Sequence, residues 1–467
     1  MKKSILALSL AGALVFSSCE SEVVVDDATI QSIVNQAVAA VLAQFPDVPS
    51  TQAIADAAAK AAEEAVAAGF AGQDVDAAIE AALNAAQALT NPPVERVGSG
   101  GVVEITGNTT WTSDKIWLMD GKVIVQDGAT LTIEAGTIVK AASGQGANAT
   151  VLLIAKGGKI EAVGTSAKPI IFTDVEDDIV YANGTTSPNR SATDRGKWGS
   201  VIILGNAKVG EDGGEEDIEG IVSGYDFTKY GGSDDADDSG ELNYVSIRHT
   251  GTQIGGGDEL QGLTMGGVGS GTVIENIELL GSNDDGIEIF GGSVNVTNLM
   301  IANHKDDGID LDEAYKGTIT NAVVYMAADS DTVFEHDGTE DSTGTIDGAF
   351  TVSGVTAYGN GNAEKTATLG DWKSDATAFI ENVAYVSFPA GSTFKGIDAD
   401  TYKGAGTASA LGELSFKDIV VVTSDTKTAV LNGLLADETS ATWLTIATSK
   451  SASAGADESV FAWTQVQ

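Results

Sequence analysis

Carboxylates recur along one stretch of this chain at a spacing that puts them in register. The segments Asn283-Asp284-Asp285-Gly286-Ile287-Glu288, Lys305-Asp306-Asp307-Gly308-Ile309-Asp310 and Asp329-Ser330-Asp331-Thr332-Val333-Phe334-Glu335 align with Glu288, Asp310 and Glu335 at steps of 22 and 25 residues. Three acidic columns result: Asp284, Asp306 and Asp331; Asp285 and Asp307; Glu288, Asp310 and Glu335. Carboxylates stacked ~5 Å apart repel, and protons or a cation relieve the repulsion. An oxygen-only set suits calcium, which takes several carboxylates and carbonyls in loose geometry, so all of these residues are candidate ligands. Two carboxylates can also act as acid and base across a glycosidic bond, with Asp284, Asp306, Asp307 and Asp310 as the catalytic candidates. A plainer origin is equally open: Asp-Gly supplies a turn between strands, and its carboxylate faces water.

Other chemistries have little to work with. The only histidines are His249, His304 and His336, and their spacing is not that of a zinc site. His304 and His336 fall near the acidic columns, where a strand-end histidine is ordinarily a hydrogen-bonded surface group. The glycine runs Gly255-Gly256-Gly257 and Gly266-Gly267-Val268-Gly269 lack the Lys-Ser or Lys-Thr that follows a phosphate loop, and read as tight coil corners. Calcium is therefore the one cofactor expected. Tyr225, Phe227 and Tyr230 offer either ring faces for a glycan or clamps for a loop.

Columns of this kind need an element that repeats every 22 to 25 residues. Beyond Gly98 the chain consists of short β-branched runs divided by Gly, Asn and Asp, as in Lys122–Gln126, Ala129–Glu134 and Thr150–Ala155; every run has strand length. A repeat of that size, built of short strands and glycine turns, is one coil of a solenoid, and the predicted fold is a right-handed parallel β-helix over 98–467. Ile287, Ile309 and Phe334 then form an inward column, and Asn276, Asn298 and Asn321 a stacked turn ladder. The acidic stretches 211–219 and 232–240 read as mobile loops between strands, ordered by calcium.

Residues 28–97 obey a different period. Ile30, Ile33, Val34, Ala37, Val38, Val41, Leu42 and Phe45 recur at three- and four-residue steps, an amphipathic helix ended by Pro46 and Pro49. Ser50 caps a second helix and Asp74 a third, the whole forming a stalk, a small bundle or an element for homo-oligomerisation through residues 28–90. Ahead of it, Met1-Lys2-Lys3 and the apolar run Ile5–Phe16 have the layout of a secretory signal over 1–18. That run is too short to span a bilayer. It ends at Ser17-Ser18-Cys19, so Cys19, the only cysteine, is expected to carry lipid and hold the protein to a membrane through an acidic tether, 19–27. Loss of Lys2 and Lys3 with the signal takes the net charge from −42 to −44. So acidic a surface excludes nucleic acid as a partner.

The stretches Lys197-Trp198-Gly199-Ser200-Val201-Ile202-Ile203-Leu204-Gly205-Asn206-Ala207, Leu242–Arg248, Gly262–Glu275 and Asp284–Asn295 together resemble a parallel β-helix family of Bacteroidota surface and secreted proteins, in the pectin-lyase-like superfamily. The resemblance covers roughly Gly98 to the end of the sequence. It implies the solenoid fold and a lipid-anchored place at the outer membrane facing the cell exterior, and carries no activity with it. Asn283-Asp284-Asp285 followed by Asp306-Asp307 also resembles the paired aspartates of polygalacturonases. However, Gly-His-Gly does not occur, and no arginine follows Arg248, so that family's substrate clamp is missing. A lyase would need a base beside the ladder, for which Lys305 and Lys316 are the sequence-near candidates. The expectation is a non-enzymatic envelope protein that binds a glycan or another envelope component, with a polysaccharide lyase or glycoside hydrolase, or a structural stalk, as the alternatives.

Overall fold

The computed structural model describes residues 15–16, 23–24, 27–44, 51–67, 75–221, 225–255, 258–339, 348–359, 368–435 and 437–466. Cys19 and most of the expected signal and tether lie outside these residues, as do Pro46, Pro49, Ser50 and Asp74. The chain forms two compact units, one comprising residues 1–93 with 179–188, the other residues 94–178 with 189–467.

In the first unit, helices α1 (Asp27–Gln44), α2 (Thr51–Ala67) and α3 (Val75–Thr90) each pack on the other two. Most of the apolar stripe read from the sequence is buried: Ile30, Ile33, Val34, Ala37 and Val41 of α1 meet Ile54, Ala58 and Ala62 of α2 and Ala78, Ala82 and Ala86 of α3, with Val38 and Leu42 partly buried beside them; Phe45 lies outside the described residues. Alanine at so many contacts lets the helices approach closely, while each buries little area. No helix among the described residues is long and apolar enough to cross a membrane.

The second unit is a parallel β-helix, as the coil period requires. Its pairing begins at Val94, which lies opposite Ile116, and runs on to Ile105 opposite Val125 with a register shift between Gly98 and Gly101; the strand thus starts four residues before the expected Gly98. Three faces run along the solenoid. The strands Gly240–Arg248, Val273–Leu280, Asn295–Ala302, Thr318–Tyr325, Phe350–Tyr358 and Ala378–Val386 each bend once, placing their leading halves on the first face and their trailing halves on the second. The third face stacks Val201–Leu204, Leu263–Gly266, Ile287–Phe290, Ile309–Asp312, Phe334–His336 and Asp371–Trp372.

The bend has a specific residue requirement. Asn276, Asn298, Asn321 and Asn382 all adopt left-handed backbone, with φ of 53°, 58°, 60° and 52°, a conformation asparagine tolerates better than most residues. Their amides form the expected ladder: Asn321 donates to Asn298 at 2.7 Å, Asn298 to Asn276 at 3.0 Å and Asn276 to Asn243 at 2.9 Å. Inside, Ile287, Ile309 and Phe334 pair in one buried column, again as expected.

The long insertion before Gly240 departs from expectation. Val209, Ile218, Phe227 and Tyr230 pack with Ile202, Leu204 and Phe290 as one apolar cluster, which lays the insertion over the outside of the third face. Several of its carboxylates are met by lysines. Lys156 pairs with Glu215, Lys159 with Asp238, and Lys316 with Asp235 at 2.9 Å. Tyr230 is buried, and its hydroxyl donates to Glu313, so it is a clamp. Tyr225 stacks on Phe227 at 4.9 Å and stays 52% exposed.

Candidate functional site

The acidic ladder starts where the chain passes from the second face to the third and continues onto the third face itself. The strand register places Thr264, Glu288, Asp310, Glu335, Asp371 and Gly396 in one column. Its neighbours in sequence, Ile287, Ile289, Ile309, Leu311 and Phe334, point into the core, so strand alternation turns the column outward. Outward here does not mean solvated: Glu288 is 6% exposed and Asp310 is 8% exposed.

The turn residues fill two more columns. In one, Asp285 Oδ1 accepts the Asp307 backbone N–H at 2.7 Å, and Asp307 Oδ1 accepts the Thr332 N–H at 2.7 Å. Each carboxylate thereby holds the next coil in place. In the other, Asp331 N–H donates to the Asp306 carbonyl at 2.8 Å and Lys305 N–H to the Asp284 carbonyl at 3.1 Å, which stacks Asp284, Asp306 and Asp331 as their spacing predicts. All the sequence-predicted ladder residues thus come together.

Among the described residues, side-chain oxygens at the ladder converge in three sets, within each of which they lie within 4.8 Å of one another: Glu259, Asp284 and Asp306; Asp285, Glu288 and Asp310; Asp307, Asp310 and Glu335. The middle set is buried throughout, and Glu288 Oε2 and Asp310 Oδ1 have no hydrogen-bond partner among the described residues. Burial, with added repulsion from neighbouring carboxylates, pushes Asp285, Glu288 and Asp310 well above the usual carboxylate range. Asp284 is pushed up to about 9 by burial and by a hydrogen bond shared with Glu259. Asp307 likewise rises to about 9, chiefly through burial. Its partner Glu335 falls to about 2 because it accepts the hydrogen bond of Asp307 and also pairs with Lys373. Without a cation, the cluster relieves its repulsion by retaining protons.

Several contributors escaped the sequence reading. Glu259 arrives on the hairpin formed by Thr252–Gly255 and Asp258–Leu260. Glu219 comes from the long insertion, accepts a hydrogen bond from Gln261 and adds its charge against Glu288. Asp371 continues the column but lies 36 residues beyond Glu335, outside the coil period. The lysines paired with ladder carboxylates are Lys373, on Glu335 and Asp337, and Lys395, on Asp371 at 3.0 Å. Of the lysines singled out by sequence, Lys305 acts on Asp306, whereas Lys316 is held by Asp235.

The histidines also differ from expectation. His304 and His336 are fully buried, not surface groups, and desolvation drives both down to about 3. His336 lies in register with Leu311 and packs against Phe334, Phe350 and Trp372, a core position. Neither is a proton carrier near neutral pH.

Residues 103–466 match a family model described as a pectate-lyase like beta helix domain. No curated protein and no solved structure matches the chain.

Proposed function

The chain belongs to the pectate-lyase-like beta-helix family, and from that premise we propose a non-enzymatic binding protein of the cell envelope, whose acidic ladder takes up calcium and presents the third face to a glycan. One observation carries the reading: Asp285, Glu288 and Asp310 aim buried oxygens at one another, two of them without a partner. The donor set fits the ion. Calcium binds oxygen at ~2.3–2.6 Å, so oxygens within 4.8 Å of each other can lie on a single coordination sphere. Carboxylates retaining protons would release them as the ion enters.

Thermal unfolding tests the calcium reading. Calcium at millimolar concentration should raise the melting temperature of the protein by several degrees and magnesium by less; no shift with calcium removes the reading. Glycan arrays probed with the calcium-loaded protein test the ligand class, and binding should weaken in chelator.

The envelope location rests on the sequence around Cys19. Cys19→Ser should move the protein from the membrane fraction to the soluble fraction; unchanged membrane association would overturn a lipid anchor. The three helices would then act as a spacer or, through residues 28–90, as a contact between copies. In the latter case light scattering should report a smaller species once those residues are deleted.

A second reading, a polysaccharide lyase or glycoside hydrolase, is favoured by the Asp307–Glu335 pair, in which one carboxyl holds a proton and the other is ionised. Such an asymmetry is how paired carboxylates divide acid and base roles. Against hydrolysis, a hydrogen-bonded pair stands closer than the ~5 Å or more that flanks a glycosidic bond in such enzymes. Product release from uronate-rich polymers, lost in Asp306→Asn and Asp307→Asn, would displace the binding reading.

A further inference from the structure

The end of the described chain runs back across the outside of the second face. Gly455 N–H donates to Asn382 at 2.9 Å, Ala456 N–H to Thr356 at 2.9 Å and Asp457 N–H to Asn321 at 2.6 Å. Glu458 then accepts from Tyr358 at 2.9 Å and pairs with Lys450 at 2.7 Å. Further along, Gln465 N–H donates to Glu278 at 2.6 Å. The strap is thus fixed at both ends, and its backbone contacts step from Asn382 through Thr356 and Asn321 to Glu278, back toward earlier coils.

Between Glu458 and Gln465 the strap arches. Phe461 packs onto Met300 and Val323, but the arch and the sheet leave a pocket of about 260 Å³ lined by Met300, Val323, Tyr325, Phe461, Ala462 and Val466, with Glu458 and Ser459 also on its wall. The pocket is open to solvent on one side. Its volume exceeds the ~150 Å³ of an enclosed apolar cavity that takes up benzene.

We propose that this pocket is a binding site for one compact, mainly apolar ring molecule with a single polar edge, of the size of phenol or indole. Volume and lining select that class. The mainly apolar wall offers a sugar few partners for its hydroxyls, and unpaired hydroxyls are costly to bury. Glu458 and Ser459 supply acceptors for one donor on the ligand. The site lies on the second face and does not depend on the acidic ladder or on calcium.

The test uses the full protein with phenol, indole and glucose as probes. Indole and phenol should bind at up to millimolar concentration and shift the Met300 methyl resonance, identified by its loss in Met300→Leu. Glucose should leave it in place. Val323→Trp, which fills the pocket, should weaken indole binding at least tenfold while the circular dichroism of the sheet persists. If that variant loses the sheet signal, Ala462→Trp fills the space from the strap side and should have the same effect. No Met300 shift with either aromatic probe, a response to glucose instead, or unchanged indole affinity in a folded filled variant would overturn the proposal.

Discussion

A buried carboxylate has two ways to avoid the cost of an unpaired charge, and the residues of the ladder differ in which they use. Asp307 and Glu335 share a proton, while Glu288 and Asp310 each present an oxygen with no hydrogen-bond partner among the described residues. The consequence for stability runs opposite to that of an ordinary salt-bridged acid. Asp284 and Asp307 titrate near 9 when folded and near ~3.9 when unfolded. The folded state therefore binds more protons across that interval, and stability declines as pH rises from about 4 toward 9. Glu335, lowered to about 2, has the other sign, and its contribution is lost only as the solution becomes strongly acid. In chelator the melting temperature should thus fall between pH 5 and pH 9, and calcium should flatten the decline. Asp310→Asn, a neutral shape-mimic, should weaken the pH dependence without calcium and abolish the calcium shift. A melting temperature that rises with pH in chelator would contradict the assignment of retained protons.

At the scale of the element, the asparagine ladder turns a backbone requirement into a stacking interaction. Asn298 sits at φ 58° and is hydrogen-bonded to the asparagines on both sides. Asn298→Ala incurs left-handed strain of about 1–2 kcal/mol and loses two hydrogen bonds of about 0.5–1.5 kcal/mol each. The expected loss is about 2–5 kcal/mol, read as a lower urea midpoint; Asn298→Gly keeps the backbone relaxed and should lose about half as much. Equal losses in the two variants would mean that strain plays no part. The ladder was legible beforehand because steps of 22 and 23 residues between asparagines follow directly from the coil. Tyr244 shows where legibility stopped: it holds the left-handed position itself, φ 52°, and the preceding Asn243 supplies the ladder amide.

At the scale of the whole molecule, remote segments close over the solenoid. Arg248 and Glu278 are fully buried with a 3.4 Å contact, and the strap completes their surroundings. Arg248 donates to the Gln465 side chain at 2.6 Å, and Glu278 accepts the Gln465 N–H. Removing one member of a buried pair leaves the other charge uncompensated, at about 3–5 kcal/mol. Glu278→Ala should therefore destabilise the solenoid by that amount and free the strap, detected as earlier proteolysis beyond Ser451. The double change Arg248→Met with Glu278→Leu should recover most of the stability. A single variant as stable as the parent would mean that solvent already reaches the pair.

Sequence alone determined the parallel β-helix, the inward apolar column, the asparagine ladder and the stacking of the three acidic columns. All four depend only on coil period and strand alternation, which are local rules written at each repeat. The tertiary structure decided what lies opposite those columns. Glu259, Glu219, Lys373 and Lys395 reach the ladder from a hairpin, an insertion and later coils, at separations unrelated to the period. Burial of Glu288 and Asp310 was hidden for the same reason, since alternation says which way a side chain points but not whether another segment covers it. That covering turns a row of turn carboxylates into a cluster that must keep protons or take up a cation.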